Sequence, residues 1–341
     1  MWNDTALARR LGIEFPIIQG AFGGGLSSVD LVSTVSNAGG LGSFGAHQLA
    51  PAQITDLAAQ LRAATAKPFA LNLWVSDRDE GVDGMTASDY ERYLAPLEPL
   101  FRELGVGAPP FPARFGERFA EQVEAVIASA PPVFSFVFGV PEASVVQRCR
   151  ATGIVTVGTA TTVDEAVALE RAGVDAIVAT GLEAGGHRAS FLAAPETCLT
   201  GTFSLVQTVR AAVAVPVIAA GGIVNGRSVA AMLTLGADGV QIGTAFLACD
   251  ESNAADEHRA ALHSSKAWST ALTRAYTGRL ARGMPNRTMA TVEAAGVYAP
   301  YPVQSRITGA LRAEAIRSGR AGEFIQLWAG QSARLLRHRR A

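Results

Sequence analysis

Val217-Ile218-Ala219-Ala220-Gly221-Gly222-Ile223-Val224-Asn225-Gly226-Arg227-Ser228 reads as a short apolar strand, a glycine turn and the start of a helix. The idea repeats in Gly239-Val240-Gln241-Ile242-Gly243-Thr244. Working outward, short apolar runs at 17–19, 41–44, 69–73, 133–138, 155–157, 176–179, 217–220 and 240–242 alternate with helix-like segments. Such alternation calls for parallel pairing through right-handed crossovers, and eight units close into an α/β fold of the (β/α)8, or TIM barrel, kind. A doubly wound sheet ranks lower, because Gly23-Gly24-Gly25 lacks the Gly-x-Gly-x-x-Gly spacing that opens a dinucleotide-binding unit.

In a barrel the loops after the seventh and eighth strands face one another. Their amides and a helix N-terminus form a cradle for phosphate, with Gly222, Gly243 and Thr244 as the natural contacts. Residues 1–75 and 131–250 make up the barrel on this reading. Residues 76–130, with a charged run at 77–80 and prolines at 96, 99, 109, 110 and 112, form a long insertion after the third strand, suited to a lid over the site or equally to a surface elaboration or subunit contact. Residues 251–341 add a helical C-terminal extension, including helical stretches at 257–272 and 305–317.

Composition narrows the partners. At 341 residues and 49% hydrophobic, the chain can bury one large core. A formal charge of -1 gives no electrostatic reason to expect nucleic acid or an anionic membrane, so the expected partners are small molecules, with a homodimer left open. Cys149, Cys198 and Cys249 are far apart and odd in number, which suggests neither a disulfide framework nor a metal site and fits a reducing cytoplasm. No secretory signal follows Met1, and the longest uncharged apolar run, 211–224, is too short to span a bilayer.

Chemistry concentrates in Ala179-Thr180-Gly181-Leu182-Glu183-Ala184-Gly185-Gly186-His187-Arg188, at the end of the sixth strand. Gly185 and Gly186 let backbone approach a flat or anionic ligand, and His187 stands at its rim. An unperturbed imidazole has a pKa of about 6.5, so His187 can take a proton from a weakly acidic carbon. Glu183 is expected to orient the turn or His187, and Arg188 to be solvated or ion-paired. His47, His258 and His263 read as surface or packing residues without metal spacing. Cys198 has no helix start or positive neighbourhood to activate it as a nucleophile. Tyr298 and Tyr301 are candidates for the pocket wall or for packing.

In order along the chain, Pro16-Ile-Ile-Gln19, Ala38-Gly-Gly-Leu-Gly42, Leu71-Asn-Leu73, the 183–188 loop, Ala220-Gly-Gly-Ile223, Gln241-Ile-Gly-Thr244 and Thr277-Gly-Arg-Leu-Ala-Arg-Gly283 resemble class I nitronate monooxygenases. The resemblance implies noncovalent FMN, with phosphate in the late-strand cradle and the ring system beside Gly185, Gly186 and His187. It places Asn72, Thr180, Gly185, Gly222, Gln241, Ile242, Gly243 and Thr244 at the flavin, and Gln19, Gly20 and Ala21 in the surface beneath it. Two departures stand out. Gln19-Gly20-Ala21-Phe22 replaces the family's usual Gln-Ala-Pro-Met, and Thr180 stands where Gln is common. The implied reaction is oxidation of an alkyl nitronate by O2 to a carbonyl compound and nitrite, with His187 needed only when a neutral nitroalkane must first lose its α-proton.

The alternatives are an NAD(P)H-dependent enoyl-thioester reductase, which shares Glu-Ala-Gly-Gly-His but usually continues Ile-Gly-Lys rather than Arg188-Ala189-Ser190, and a flavin-binding protein with little turnover.

Overall fold

The computed structural model describes residues 1–341. The first nine strands are β1 (Ile17–Gln19), β2 (Gly42–Gly45), β3 (Phe69–Trp74), β4 (Val133–Val137), β5 (Val155–Ala160), β6 (Ala176–Thr180), β7 (Gly186–His187), β8 (Val217–Ala220) and β9 (Gly239–Ile242). All but β7 pair in parallel, in the order β1-β9-β8-β6-β5-β4-β3-β2. The ring closes where Gln19 N donates to Leu41 O (2.9 Å) and Leu41 N to Ile17 O (3.0 Å). This is the (β/α)8 barrel expected from the alternation of apolar runs. Strand ends differ from the sequence reading by at most three residues, β4 stopping at Val137 because Phe138 adopts a positive φ of 63°.

Alternation along each strand sorts side chains to two sides. Ile18, Ala70, Val133, Val157, Ala176, Val178, Ile218 and Ala220 pack inside the barrel, and Leu7 and Leu11 of the helix Ala6–Leu11 join them. That helix closes the N-terminal end, since a Cβ built at Gly239, the first residue of β9, would lie 2.4 Å from Leu7 Cδ2. Leu71, Leu73, Phe134, Phe136, Ile177, Ala179 and Val240 point outward and form the larger core with the surrounding helices. With the N-terminal end plugged, only the C-terminal end is available for a site.

The segment 76–130 is not a single insertion. Its last part, the helix Phe119–Ser129, is the crossover between β3 and β4, with Val123, Val126 and Ile127 in the barrel core. The preceding helices Ala87–Leu94 and Glu98–Leu104 bury Tyr90, Leu100 and Phe101 in a second core with Met289, Val292, Val303, Ile307 and Leu311. Insertion and C-terminal extension are thus one packed body.

The extension also departs from the helical expectation. The helix expected over 257–272 ends at Leu262, and β10 (Ala271–Thr273) follows. It pairs antiparallel with β11 (Ala281–Gly283), which pairs in turn with β7, setting Ala281 opposite His187 and Arg282 opposite Gly186. The His187 loop is therefore a strand of a small sheet, held from the C-terminal side. The second expected helix is present as Val303–Arg317.

Close packing of the helix Val29–Asn37 on β2 depends on Gly42, where an added Cβ would lie 2.1 Å from Val32 O and 2.7 Å from Val32 Cα. Gly42→Ala should cost about 1–3 kcal/mol, as overpacking against backbone does. A urea unfolding curve checks this, and an unchanged midpoint would refute the close approach.

Candidate active site

The alternation that fills the lower barrel with apolar groups continues upward with polar ones. Asn72, Ser135, Thr159, Thr180 and Gln241 occupy inward positions near the C-terminal ends of their strands, and all five line a cavity of about 340 Å³. Asn72 Nδ2 donates to Ser135 Oγ at 3.0 Å. Of the residues expected at a cofactor, Gly20, Ala21, Asn72, Thr180, Gly185, Gly186, Gly222, Gln241, Gly243 and Thr244 all line this cavity, together with His187. Gln19 and Ile242 do not. Each follows an inward residue, so alternation turns it away. Gln19 is buried and accepts from Ser43 N (2.8 Å), and Ile242 packs in the outer core.

At one end of the cavity the turns after β8 and β9 present their amides. The N–H groups of Gly222, Ile223, Gly243 and Thr244 have no acceptor within the protein. Asn225 caps the helix Gly226–Thr234 through Ser228 N (3.1 Å), and Thr244 Oγ1 accepts from Gly330 N (2.9 Å), which brings the C-terminal segment over the turn. Four unpaired amides converging from two turns form an anion cradle.

At the other end stands His187. Its Nε2 lies 2.8 Å from Thr277 Oγ1, and that hydroxyl lies 3.3 Å from Arg279 O. We assign the Thr277 hydroxyl as donor to that carbonyl and acceptor from Nε2–H, which leaves Nδ1 bare and without a protein partner. Rings of Trp74 (4.8 Å between centroids), Trp328 (5.3 Å) and Phe138 (6.2 Å) surround the imidazole edge-on. Burial pushes its pKa down to about 3, with the neighbouring His47 and Arg279 adding to the shift. The imidazole is neutral throughout the physiological range.

Behind the aromatic wall lies Arg279. It donates to Asp79 Oδ1 through Nε (2.8 Å) and Nη2 (2.6 Å), while its guanidinium carbon sits 4.3 Å from the ring centroids of both Phe138 and Tyr301. Arg312, on the helix Val303–Arg317, lines the cavity with its Nη1 buried and unpartnered. The cavity is lined by no carboxylate side chain. Arg312 is the one charged side chain in its lining.

In the His187 loop one expectation is corrected and one narrowed. Arg188 is neither solvated nor ion-paired: it is 1% exposed and donates to Gly181 O (2.6 Å), Cys198 O (2.9 Å) and Thr180 O (3.2 Å), tying the end of β6 to the following loop. Glu183 serves the turn rather than His187, accepting from Thr202 N (2.8 Å) and Thr202 Oγ1 (2.8 Å) at the start of the helix Thr202–Ala212. Gly185 is needed for packing, since a Cβ there would lie 2.6 Å from the backbone of Ala329 and Gly330. Tyr301 lines the cavity, whereas Tyr298 is 41% exposed and does not.

Sequence reasoning missed Ser135, Thr159, Trp74, Trp328 and Arg312, and took His47 for a surface or packing residue although it lines the cavity. Ser135 and Thr159 were readable, because each lies on its strand at the parity of a buried inward residue. Trp328 and Arg312 carry no local signal, since they reach the cavity from a distant part of the chain.

The chain matches the family model described as nitronate monooxygenase over residues 4–340. A Staphylococcus aureus (strain Newman) protein named "Probable nitronate monooxygenase" is 41% identical over 337 residues, covering 98% of this chain and 93% of that protein. Nitroalkane oxidase from Streptomyces ansochromogenes superposes with a TM-score of 0.88 at 36% identity, covering 97% of this chain and 93% of the other. FabK from Thermotoga maritima superposes with a TM-score of 0.74 at 27% identity, covering 98% and 91%. Fold, cavity and relatives together define an oxidoreductase built on a TIM barrel. The chain belongs to the nitronate monooxygenase family. No helix is long and apolar enough to cross a membrane.

Burial holds three imidazoles below the ordinary 6.5, His47 and His187 at about 3 and His258 at about 4. On unfolding each regains its ordinary pKa, so between 6.5 and the depressed values the unfolded chain binds more protons. Stability is therefore complete above pH 6.5 and falls as pH drops below it. The thermal midpoint should decline between pH 6.5 and 5, before carboxylates protonate; a flat midpoint across that interval would contradict the neutral burial of these rings.

Proposed function

We propose that this protein is an FMN-dependent enzyme that oxidises alkyl nitronates with O2 to a carbonyl compound and nitrite. The observation that carries the reading is one cavity with an unpaired amide cradle at one end and a neutral imidazole at the other. The cradle suits a phosphate, and the polar ring of Asn72, Ser135, Thr159, Thr180 and Gln241 offers donors and acceptors to a flat heterocycle lying across the strand ends. Gly20 and Ala21 complete the surface beneath it in this arrangement. Bound flavin would supply the one-electron oxidation of the nitronate and the path of electrons to oxygen.

The protein's share is binding, orientation and charge. Arg312, unpartnered in the cavity wall, favours an anion, and the rings of Trp74, Phe138, Tyr301 and Trp328 line the cavity with apolar surface around the reacting carbon. His187 Nδ1 is positioned to accept an α-proton when the substrate arrives as a neutral nitroalkane. A base depressed to about 3 is weak, so that transfer depends on the cavity stabilising the anion formed. Nitronates, already anionic, avoid the step, and they are the preferred substrates on this account. The reductase reading draws support from the likeness to FabK, but the nitroalkane oxidase is the closer match of the two in both identity and superposition. A cytoplasmic location accords with three unpaired cysteines.

Gly243 tests the cradle. A side chain there meets only open space and Phe22 Cε1 at 3.9 Å, so Gly243→Asp should fold normally while setting a carboxylate against the phosphate. The FMN Kd, read by quenching of flavin fluorescence, should rise roughly 10-fold or more, the size of a lost charge-assisted contact; unchanged affinity would remove the phosphate from this end. His187→Asn tests the chemistry: nitroalkane turnover should fall by roughly 100-fold or more while nitronate oxidation largely persists. Equal loss on both substrates would refute His187 as the base.

A further inference from the structure

His47 has no part in the reaction as described so far, yet it stands in the cavity wall. It follows β2, and Gln122 fixes its loop by donating to His47 O (2.9 Å) and Leu49 O (2.8 Å). The ring lies flat on Trp74, with centroids 4.0 Å apart and planes 9° apart, and the same indole meets His187 edge-on at 4.8 Å. Residue 47 is 7% exposed. The loop through Gly23 packs against the Cε1 edge of the ring so closely that a Cβ at Gly23 would lie 2.0 Å from His47 Cε1. The imidazole is thus held between the face of Trp74 and the backbone at Gly23.

Its two nitrogens differ. Nδ1 is fully buried with no partner, while Nε2 also lacks a protein partner but remains on the cavity side. An orphaned buried N–H is costlier than an orphaned lone pair, so the proton of the neutral ring belongs on Nε2, facing the cavity. No carboxylate bonds to the ring, and the nearest charge acting on it is Arg279. Two neutral imidazoles thus flank one indole in complementary forms. His187 offers a bare nitrogen and His47 offers an N–H.

We propose that His47 is a second substrate-contacting residue, its Nε2–H donating a hydrogen bond to an oxygen of the nitro or nitronate group while His187 Nδ1 faces the α-carbon. The proposal rests on the nitronate-oxidising reading above. In a neutral nitroalkane the α C–H bond breaks, its proton forms an N–H bond at His187 Nδ1, and its electron pair enters a C=N bond while negative charge moves onto the nitro oxygens. No electrons leave or enter in this step. The His47 donor meets the charge where it develops, beside the buried rings of Trp74 and His187, where such a donor is worth more than in water. A substrate that arrives as a nitronate carries that charge from the start and is held by the same contact.

The test uses the FMN-loaded protein and two variants. His47→Phe keeps an aromatic ring against Trp74 but removes the donor, and His47→Gln returns an amide N–H near the position of Nε2. Nitrate, a planar oxyanion, serves as the binding probe, followed by its perturbation of the flavin absorption spectrum. His47→Phe should weaken nitrate by roughly 10-fold and lower kcat/KM for a nitroalkane by roughly 100-fold, with FMN affinity unchanged. His47→Gln should recover most of both. Wild-type nitrate affinity in His47→Phe would overturn the proposal, as would loss of FMN or of folding in both variants, which would assign the ring to the cofactor or to packing. A wild-type enzyme that binds nitrate through His47 but consumes no oxygen with nitronate would instead overturn the activity, leaving the hydrogen bond intact.

Discussion

Each barrel strand turns every second side chain toward the axis, and that constraint divides the interior into an apolar lower layer and a polar upper one. Ala70 and Asn72 on β3, Val133 and Ser135 on β4, Val157 and Thr159 on β5, and Val178 and Thr180 on β6 make the change at about the same height. Below it the Leu7 and Leu11 plug excludes ligands. Above it five polar side chains share a floor that no single loop could set so rigidly. The same parity explains why Gln19 and Ile242 stay out of the cavity although their neighbours Gly20 and Gln241 enter it.

On that floor the extension builds the walls. Residues 271–283 capture the His187 loop as a strand, Trp328 closes over the imidazole, and Gly330 is bonded to the turn after β9. Gly185 must be glycine for this arrangement because the backbone at 329–330 occupies the space of a Cβ. The shared core of insertion and extension holds these walls together through Tyr90, Phe101, Val303 and Ile307. The cavity is lined by polar groups without protein partners, among them four amides, Arg312 Nη1 and a nitrogen of each of two imidazoles. A folded chain tolerates such groups where a ligand completes them.

How much of this was legible in the sequence follows from how local each signal is. Barrel strands and glycine turns are written in consecutive residues, so their number, order and the place of the cradle could be read directly. The His187 loop was readable for the same reason. Arg188 was not: whether an arginine faces water or three carbonyls depends on where Cys198 and Thr180 come to lie. The hairpin at 271–283 was hidden because strands of three residues carry no periodicity. His47 packs as expected, but its place in the cavity wall was not readable, because its environment comes from Trp74, Gly23 and Gln122, brought together by the barrel.

The central claim is that one cavity joins a flavin phosphate cradle to a site for an oxidisable anion. It is tested most directly by oxygen consumption of the FMN-loaded protein with a short alkyl nitronate, run beside NADH plus an enoyl thioester. The account predicts oxygen uptake with nitrite release on the nitronate and no turnover with the thioester. No uptake on the nitronate, with NADH bleaching the flavin and the thioester reduced, would contradict it.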